Sequence, residues 1–293
     1  MDRNPASEYI LYGFHSAIPP CSAARPIRAS PLINTTLAAN QNRRDRRRVK
    51  GRTVAVIPCL NAAETLGAVI DGVRPYVAQV IVVDDGSQDD TANIARDAGC
   101  IVVRHLRNEG KGAALVTGLA EAQAGGFTHV VALDADGQHP PDNLPRLMEE
   151  ALAHPEALII GARDFRDQPV PGASRFGRRF SNFWVWLETG LRLNDTQSGL
   201  RVYPVREILD LRVSPSRFEW EVEVIVRAAW AGRSVREIDV SVFYPPPSER
   251  RTHYRKVEDS LLISLLHVQL ILQGLVRTLL RVRTRSTRIS HEL

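Results

Sequence analysis

The 293-residue chain is poor in the residues that would place it in several common classes. Its three cysteines, Cys21, Cys59 and Cys100, show no C-x-x-C spacing. That excludes a disulfide framework and a structural zinc site, and leaves Cys59 and Cys100 to read as small buried hydrophobes in a reducing compartment. Aromatic residues make up 6% of the chain and do not interleave with its basic runs. With no recognition module either, the net charge of +5 does not signal nucleic-acid binding. The one apolar stretch near the start, "YILYGF", is too short for a signal peptide and follows no basic region. Internal repeats are absent.

The charge is unevenly divided. Residues 1–52 carry ten Lys/Arg against three Asp/Glu, or +7. Residues 53–249 sum to −8, and residues 250–293 to +6. An acidic body between basic flanks suits a protein that rests on an anionic membrane surface while its body handles a metal. Residues 1–52, rich in Pro, Ser, Ala and Asn and ending in "RRDRRRVKGR", read as a disordered basic tail.

From Thr53 the pattern changes. "TVAVIP", "QVIVVDD", "CIVVR", "THVVALDAD" and "ALIIGA" are short β-branched runs bounded by turn residues. Helix-period segments lie between them at about 62–74, 90–98, 110–124 and 142–153. Continuous apolar strands alternating with helices predict a doubly wound, mostly parallel α/β sheet, with the ligand crevice at the carboxyl ends of the strands. Past about residue 165 the alternation breaks down. "SRFGRRFSNFWVWLETGL" reads as a helix, "NDTQSGLRVYP" as a loop, "FEWEVEVIVRAAWAG" as a helix ending at Gly232, and "SVREIDVSVFYPPP" as a last strand. Residues 257–281 are apolar and helical. They approach the roughly 20 residues of a membrane span but contain His267, Gln269, Gln273 and Arg277. An interfacial or dimerising helix anchored by Arg281, Arg283 and Arg285 is therefore expected. The predicted organisation is a tail (1–52), a catalytic domain (53–250) and a C-terminal interfacial segment (251–293).

The chemistry concentrates at strand ends. In "VVALDADGQHP", Asp134 and Asp136 share one side if the strand stays extended. Such hard oxygen ligands suit Mg2+ or Mn2+, with Gln138 adding a neutral oxygen. The competing reading is an Asx turn capped by Asp136. "VVDDGSQDDTANIA" sets Asp84 and Asp85 before a tight turn at Gly86, with Asp90 or Thr91 capping a helix closed by Gly99. "RNEGKGAALVTG" puts Gly110, Lys111 and Gly112 at a helix start, where free N–H groups attract phosphate; a solvated Lys111 is the plain alternative.

"PCLN", "VVDDGSQDDT", "NEGKGAAL", "LDADGQHPPD", "GAR" and "DTQSGLRVY", in this order, resemble the family 2 glycosyltransferases over about residues 53–250. The likeness is to the dolichol-phosphate mannosyltransferase-like branch, with its GT-A fold and Rossmann-like nucleotide-binding half. The resemblance implies an inverting transferase that uses a nucleotide-diphospho-sugar and a divalent metal. By position, Pro58, Asn61, Asp84 and Asp85 belong to the donor-nucleoside side, with Lys111 near the nucleotide. Asp134, Asp136 and Gln138 belong to the metal on the diphosphate. Arg163 and Arg201 would meet phosphate charge, Arg175 and Arg179 would lie on the acceptor side, and Ser198 and Gly199 would shape the acceptor loop. One departure stands out: the family carries an acid directly after the Asn of its first motif, and here Ala62 follows Asn61, the first acid being Glu64.

A lipid-phosphate acceptor is already an anion, whereas a hydroxyl acceptor needs a carboxylate to take its proton. In "FEWEVEV", Glu219 and Glu223 share a helix face, and the resemblance aligns the family's acid pair with Glu221 and Glu223, which makes Glu221 the candidate base. The expected protein transfers sugar to a lipid-linked, polyprenyl-phosphate-like acceptor. It would sit peripherally on the cytoplasmic face of a membrane or in the cytoplasm, with self-association through the C-terminal helix as a further expectation. A hydroxyl acceptor and a non-catalytic nucleotide-sugar-binding protein are the rival readings.

Overall fold

Alternate residues of each central strand enter two separate cores. On β1 (Thr53–Cys59), Val54 and Val56 pack on one face of the sheet while Ala55, Ile57 and Cys59 pack on the other. On β2 (Gln79–Asp84), Ile81 and Val83 oppose Val80 and Val82 in the same way. Strands apolar on both faces must be covered on both, and the helices between them do this.

The computed structural model describes residues 52–164, 172–214, 219–243, 262–275 and 277. Its sheet runs β3-β2-β1-β4-β6-β5-β7, with β3 (Ile101–Arg104), β4 (His129–Ala132), β5 (Leu158–Arg163), β6 (Arg201–Pro204) and β7 (Val235–Val240). Strands β3, β2, β1 and β4 are mutually parallel, and β5 is parallel to β7. β6 lies antiparallel between β4 and β5, pairing Ala132 with Arg201 on one side and Ile160 with Arg201 on the other. The helices are α1 (Leu66–Val73), α2 (Thr91–Asp97), α3 (Lys111–Ala124), α4 (Leu144–Ala153), α5 (Gly172–Thr189), α6 (Val205–Leu209), α7 (Glu219–Trp230) and α8, which spans 262–275.

Two expectations need correction. The stretch read as a loop through "RVYP" ends in β6, whose four residues are all buried. β4 stops at Ala132, so Asp134 and Asp136 do not share a side by strand alternation; Ala135 and Asp136 lie in a turn, and Gly137 has φ 72°. The tail expected at 1–52 lies outside the described residues except for Arg52, as do the proline end of the last strand and residues 278–293. Among the described residues no helix is long and apolar enough to cross a membrane.

Candidate active site

The carboxyl ends of β1, β2 and β4 open on one crevice, and the loops there are cross-tied. Asn61, at φ 50°, donates its N–H to Ser87 Oγ (2.9 Å), and its Oδ1 accepts from the Gln88 N–H (2.9 Å). The Ala62 N–H donates to Thr91 Oγ1 (2.8 Å) and the Ala63 N–H to Asp89 (3.1 Å). Pro58, half-buried on β1, pairs with Val83 of β2. Ala62 packs against the core, and Glu64, the first acid after it, lines a cavity of about 260 Å³ beside Thr65, Asp134, His139 and Leu200.

The two aspartates at the end of β2 have different occupations. Asp84 is fully buried; its Oδ1 accepts the Ser87 N–H (2.9 Å). Its Oδ2 makes no hydrogen bond, and Arg104 Nε stands 3.1 Å away outside hydrogen-bond geometry. Asp85 is saturated by the protein: its Oδ1 lies 2.7 Å from His105 Nδ1 and accepts the Glu109 N–H (2.9 Å), and its Oδ2 accepts the Gly110 N–H (2.8 Å). Asp85 thus sits at the start of α3 and takes the Gly110 N–H, one of the groups expected to be free for phosphate. Gly86 is required here, because at φ 83° a Cβ would meet the backbone of Arg107 at 2.7 Å.

Lys111, the first residue of α3, lies across the crevice. Its Nζ is 2.6 Å from Asp134 Oδ1 and 2.9 Å from Glu221 Oε2 on α7, and its side chain is 13% exposed. It is not a solvated lysine. Burial alone would favour the neutral amine, but the two carboxylates more than reverse this and raise its pKa. Although burial opposes it, the same pairing holds the Asp134 carboxyl below its usual range. Asp136 faces the opposite situation. Enclosure of its carboxyl and then the charge of Asp134 push it up to about 6, although the residue surface as a whole is exposed. Asp136 also accepts the Gln138 N–H (3.0 Å), so the Asx turn and the paired carboxylates coexist. The Gln138 carbonyl accepts the Phe243 N–H (2.8 Å).

Residues 194–200 close the crevice from the far side. A Cβ on Gly199 would lie 2.3 Å from Asp134 Oδ2 and 2.9 Å from Lys111 Nζ, so only glycine lets this backbone approach the carboxylate. Ser198 is buried with its hydroxyl unpaired. The loop is held by arginines expected to meet phosphate. Arg163 grips Asp195 in bidentate fashion (2.7 and 3.0 Å). Arg201, fully buried, donates to the carbonyls of Ser198 (2.7 Å), Glu221 (2.6 Å) and Thr196 (3.0 Å). Arg201 is therefore a pin between the loop and α7. Arg175 and Arg179 remain exposed on α5.

Sequence reading missed several groups. Asp195, wholly buried, and Glu237, whose carboxylate accepts the Asn194 and Asp195 N–H groups, set the loop. Asn182 and Ser181 on α5 bind Thr196. His139 is driven down to about 4, chiefly by burial, and its Nδ1 has no hydrogen bond. The His-Pro following the acidic turn was the available signal.

A divalent cation fits this donor set. Enclosure and the charge of Asp134 both disfavour ionised Asp136, a situation that a cation would relieve, and Lys111 engages only Oδ1 of Asp134. Among the described residues no group of three His, Cys, Asp or Glu surrounds a metal position. This matches cations that take one or two carboxylates and complete their shell with water and substrate phosphate.

Comparison with known proteins agrees. The family model for glycosyl transferase family 2 matches residues 54–204. The UDP-N-acetylglucosamine–dolichyl-phosphate N-acetylglucosaminyltransferase of Methanococcus voltae is 25% identical, over 67% of this chain and 87% of its own. The undecaprenyl-phosphate mannosyltransferase of Micrococcus luteus is 29% identical, over 65% and 83%. Among solved structures, glucosyl-3-phosphoglycerate synthase from Mycobacterium tuberculosis, in complex with Mn2+, UDP-glucose and phosphoglyceric acid, shares the fold. It superposes with a TM-score of 0.60 at 21% identity, over 86% of this chain and 85% of that one. The shared strand-end crevice, the acidic turn and the matched motifs have one explanation: the chain belongs to glycosyl transferase family 2 and is a glycosyltransferase.

Proposed function

We propose that the protein moves a sugar from a nucleotide-diphospho-sugar to the phosphate of a lipid-linked, polyprenyl-phosphate-like acceptor at an anionic membrane surface. Asp134 and Asp136 would hold Mg2+ or Mn2+ on the diphosphate, where the cation offsets the charge that develops on the leaving nucleotide. Asp84 Oδ2, buried and without a hydrogen bond, is the acceptor atom offered to the donor nucleoside. The observation that carries the choice of acceptor is the ion pair between Glu221 and Lys111. That carboxylate is already engaged by an ammonium, and an ionised phosphate needs no proton acceptor. Arg175 and Arg179 then supply positive charge, since Arg163 and Arg201 are committed to the loop. The two named relatives act on dolichyl and undecaprenyl phosphates, which supports the same choice.

The membrane surface is supported by where apolar area is left uncovered. Ten of the thirteen exposed large hydrophobics among the described residues fall on α5 and α8, including Phe176, Phe183 and Leu187 on one and Leu265, Leu272 and Leu275 on the other. The helices are locked together by His267 Nδ1 against Glu188 Oε1 (2.9 Å) and by His267 stacked on Trp184. An apolar patch flanked by exposed arginines suits an anionic bilayer.

A hydroxyl acceptor is the second reading, favoured by Glu221 Oε1, which is buried and accepts no hydrogen bond. The deciding experiment supplies UDP- and GDP-sugars, Mn2+ and a membrane lipid extract, and follows nucleoside diphosphate release and sugar in the lipid phase. Glu221→Gln should keep most transfer, while Arg175→Ala with Arg179→Ala should lose about tenfold or more. Abolished transfer in Glu221→Gln with donor binding intact would hand the case to the hydroxyl.

A further inference from the structure

We infer that Lys111 is the resident counter-ion of the empty site, and that a divalent cation binds only by displacing it from Asp134. The inference rests on the metal reading above and adds what the site does before metal arrives. Lys111 is paired with two carboxylates in this corner of the crevice, Asp134 and Glu221, at 2.6 and 2.9 Å, and Asp136 lies close enough to Asp134 to feel its charge. Its ammonium occupies Asp134 Oδ1. The other oxygen, Oδ2, faces the Gly199 backbone so closely that a methyl group would not fit between them. Oδ2 and Lys111 Nζ both lie against the same Gly199 backbone, so a cation seated on either oxygen of this carboxylate has the ammonium as its neighbour.

A metal ion on a carboxylate sits about 2.0–2.2 Å from its oxygen for Mg2+-like geometry. Placed on Oδ1, it would bring a double positive charge into contact with the ammonium, in a half-buried corner where such repulsion is poorly screened. Lys111 must leave Asp134. Glu221 gives it a place to stay, because that carboxylate already accepts it through Oε2 and has Oε1 without a hydrogen bond. A nucleoside diphosphate adds a second outlet, since its phosphate oxygens can accept from an ammonium that has just lost one partner. Metal alone thus competes with a lysine, whereas metal arriving with diphosphate does not. Metal and nucleotide become coupled ligands, and the coupling passes through one side chain.

Binding of Mn2+ is measured directly from the EPR signal of the free ion, on the full chain, with and without UDP or GDP. In the wild type, nucleotide should tighten Mn2+ binding by about tenfold or more. Lys111→Met should bind Mn2+ alone about tenfold more tightly than the wild type, and the enhancement by nucleotide should shrink. Because Lys111→Met leaves Asp134 and Glu221 without their shared ammonium, a crystal structure of the wild type with Mn2+ gives an answer that does not depend on that variant folding. It should show Lys111 Nζ out of hydrogen-bond reach of Asp134 and retained on Glu221. Mn2+ seated on Asp134 with the Lys111 contact intact, or equal Mn2+ affinity in wild type and folded Lys111→Met, would overturn the inference while leaving the metal site standing. No Mn2+ binding under any of these conditions would overturn both.

Discussion

The two sides of the crevice spend their charged residues differently. On the β1–β4 side, Asp84 and Asp136 keep carboxylate oxygens that the protein does not fully use. On the α5–β6–α7 side, Arg163, Asp195, Arg201 and Glu237 are consumed in holding residues 194–200 in place. One side keeps carboxylates with few hydrogen bonds, the groups proposed to meet a ligand; the other uses equally polar groups as scaffolding, so that a glycine backbone can stand against Asp134. A charged residue in a family motif is therefore no guide to ligand contact until its partners are counted.

The largest effect that would sharpen this contrast is expected on the open side. Asp136→Ala should lower kcat/KM by about a thousandfold, equivalent to ~4 kcal/mol, with the melting temperature unchanged. Chelator should do the same to the wild type, and steady-state turnover beside a thermal melt checks both. Next comes the contact between the two sides. Gly199→Ala pushes the loop off Asp134 and should cost about a hundredfold in turnover, because misplacement at a reacting centre is severe. Overpacking should also cost about 1–3 kcal/mol in denaturant unfolding.

Arg201→Met tests the scaffolding side directly. It strands three carbonyls and should destabilise the fold by about 3 kcal/mol, while the folded fraction keeps its donor KM. A variant of full stability that fails only in transfer would break the comparison and restore Arg201 to the phosphate. The smallest effect belongs to the outer face of α5. Phe183→Ser should leave melting unchanged and weaken flotation with anionic vesicles by about tenfold, the worth of one buried aromatic ring. Equal flotation would remove α5 from the membrane contact.

The sequence revealed most of the sheet, because β-branched runs apolar on both faces leave few alternatives; β1, β2, β3 and β5 sit where their patterns put them. β6 was illegible since four residues carry no period, and its strand character comes from β4 and β5 on either side. The fate of Arg201 was hidden for a similar reason: its carbonyl partners come from Thr196, Ser198 and Glu221, and only the fold brings them together. Asp85 looked available because His105, Glu109 and Gly110 lie some twenty residues on. Lys111 was a weak signal in the sequence yet ties two carboxylates together in the crevice, since both its partners are distant in the chain.

The place of β6 bears on how the chain assembles as it is made. Strands β1 to β4 find their neighbours among residues already synthesised, so half of the sheet can form early. β5 is made before β6 yet reaches β4 only through it, and among the described strands β6 is the sole bridge between the halves. Until Arg201–Pro204 is made, β5 has no strand through which to reach β4. The same short segment that holds residues 194–200 through Arg201 is the last central piece of the nascent sheet. A chain stalled before it would hold the aspartates of the crevice but no wall to face them.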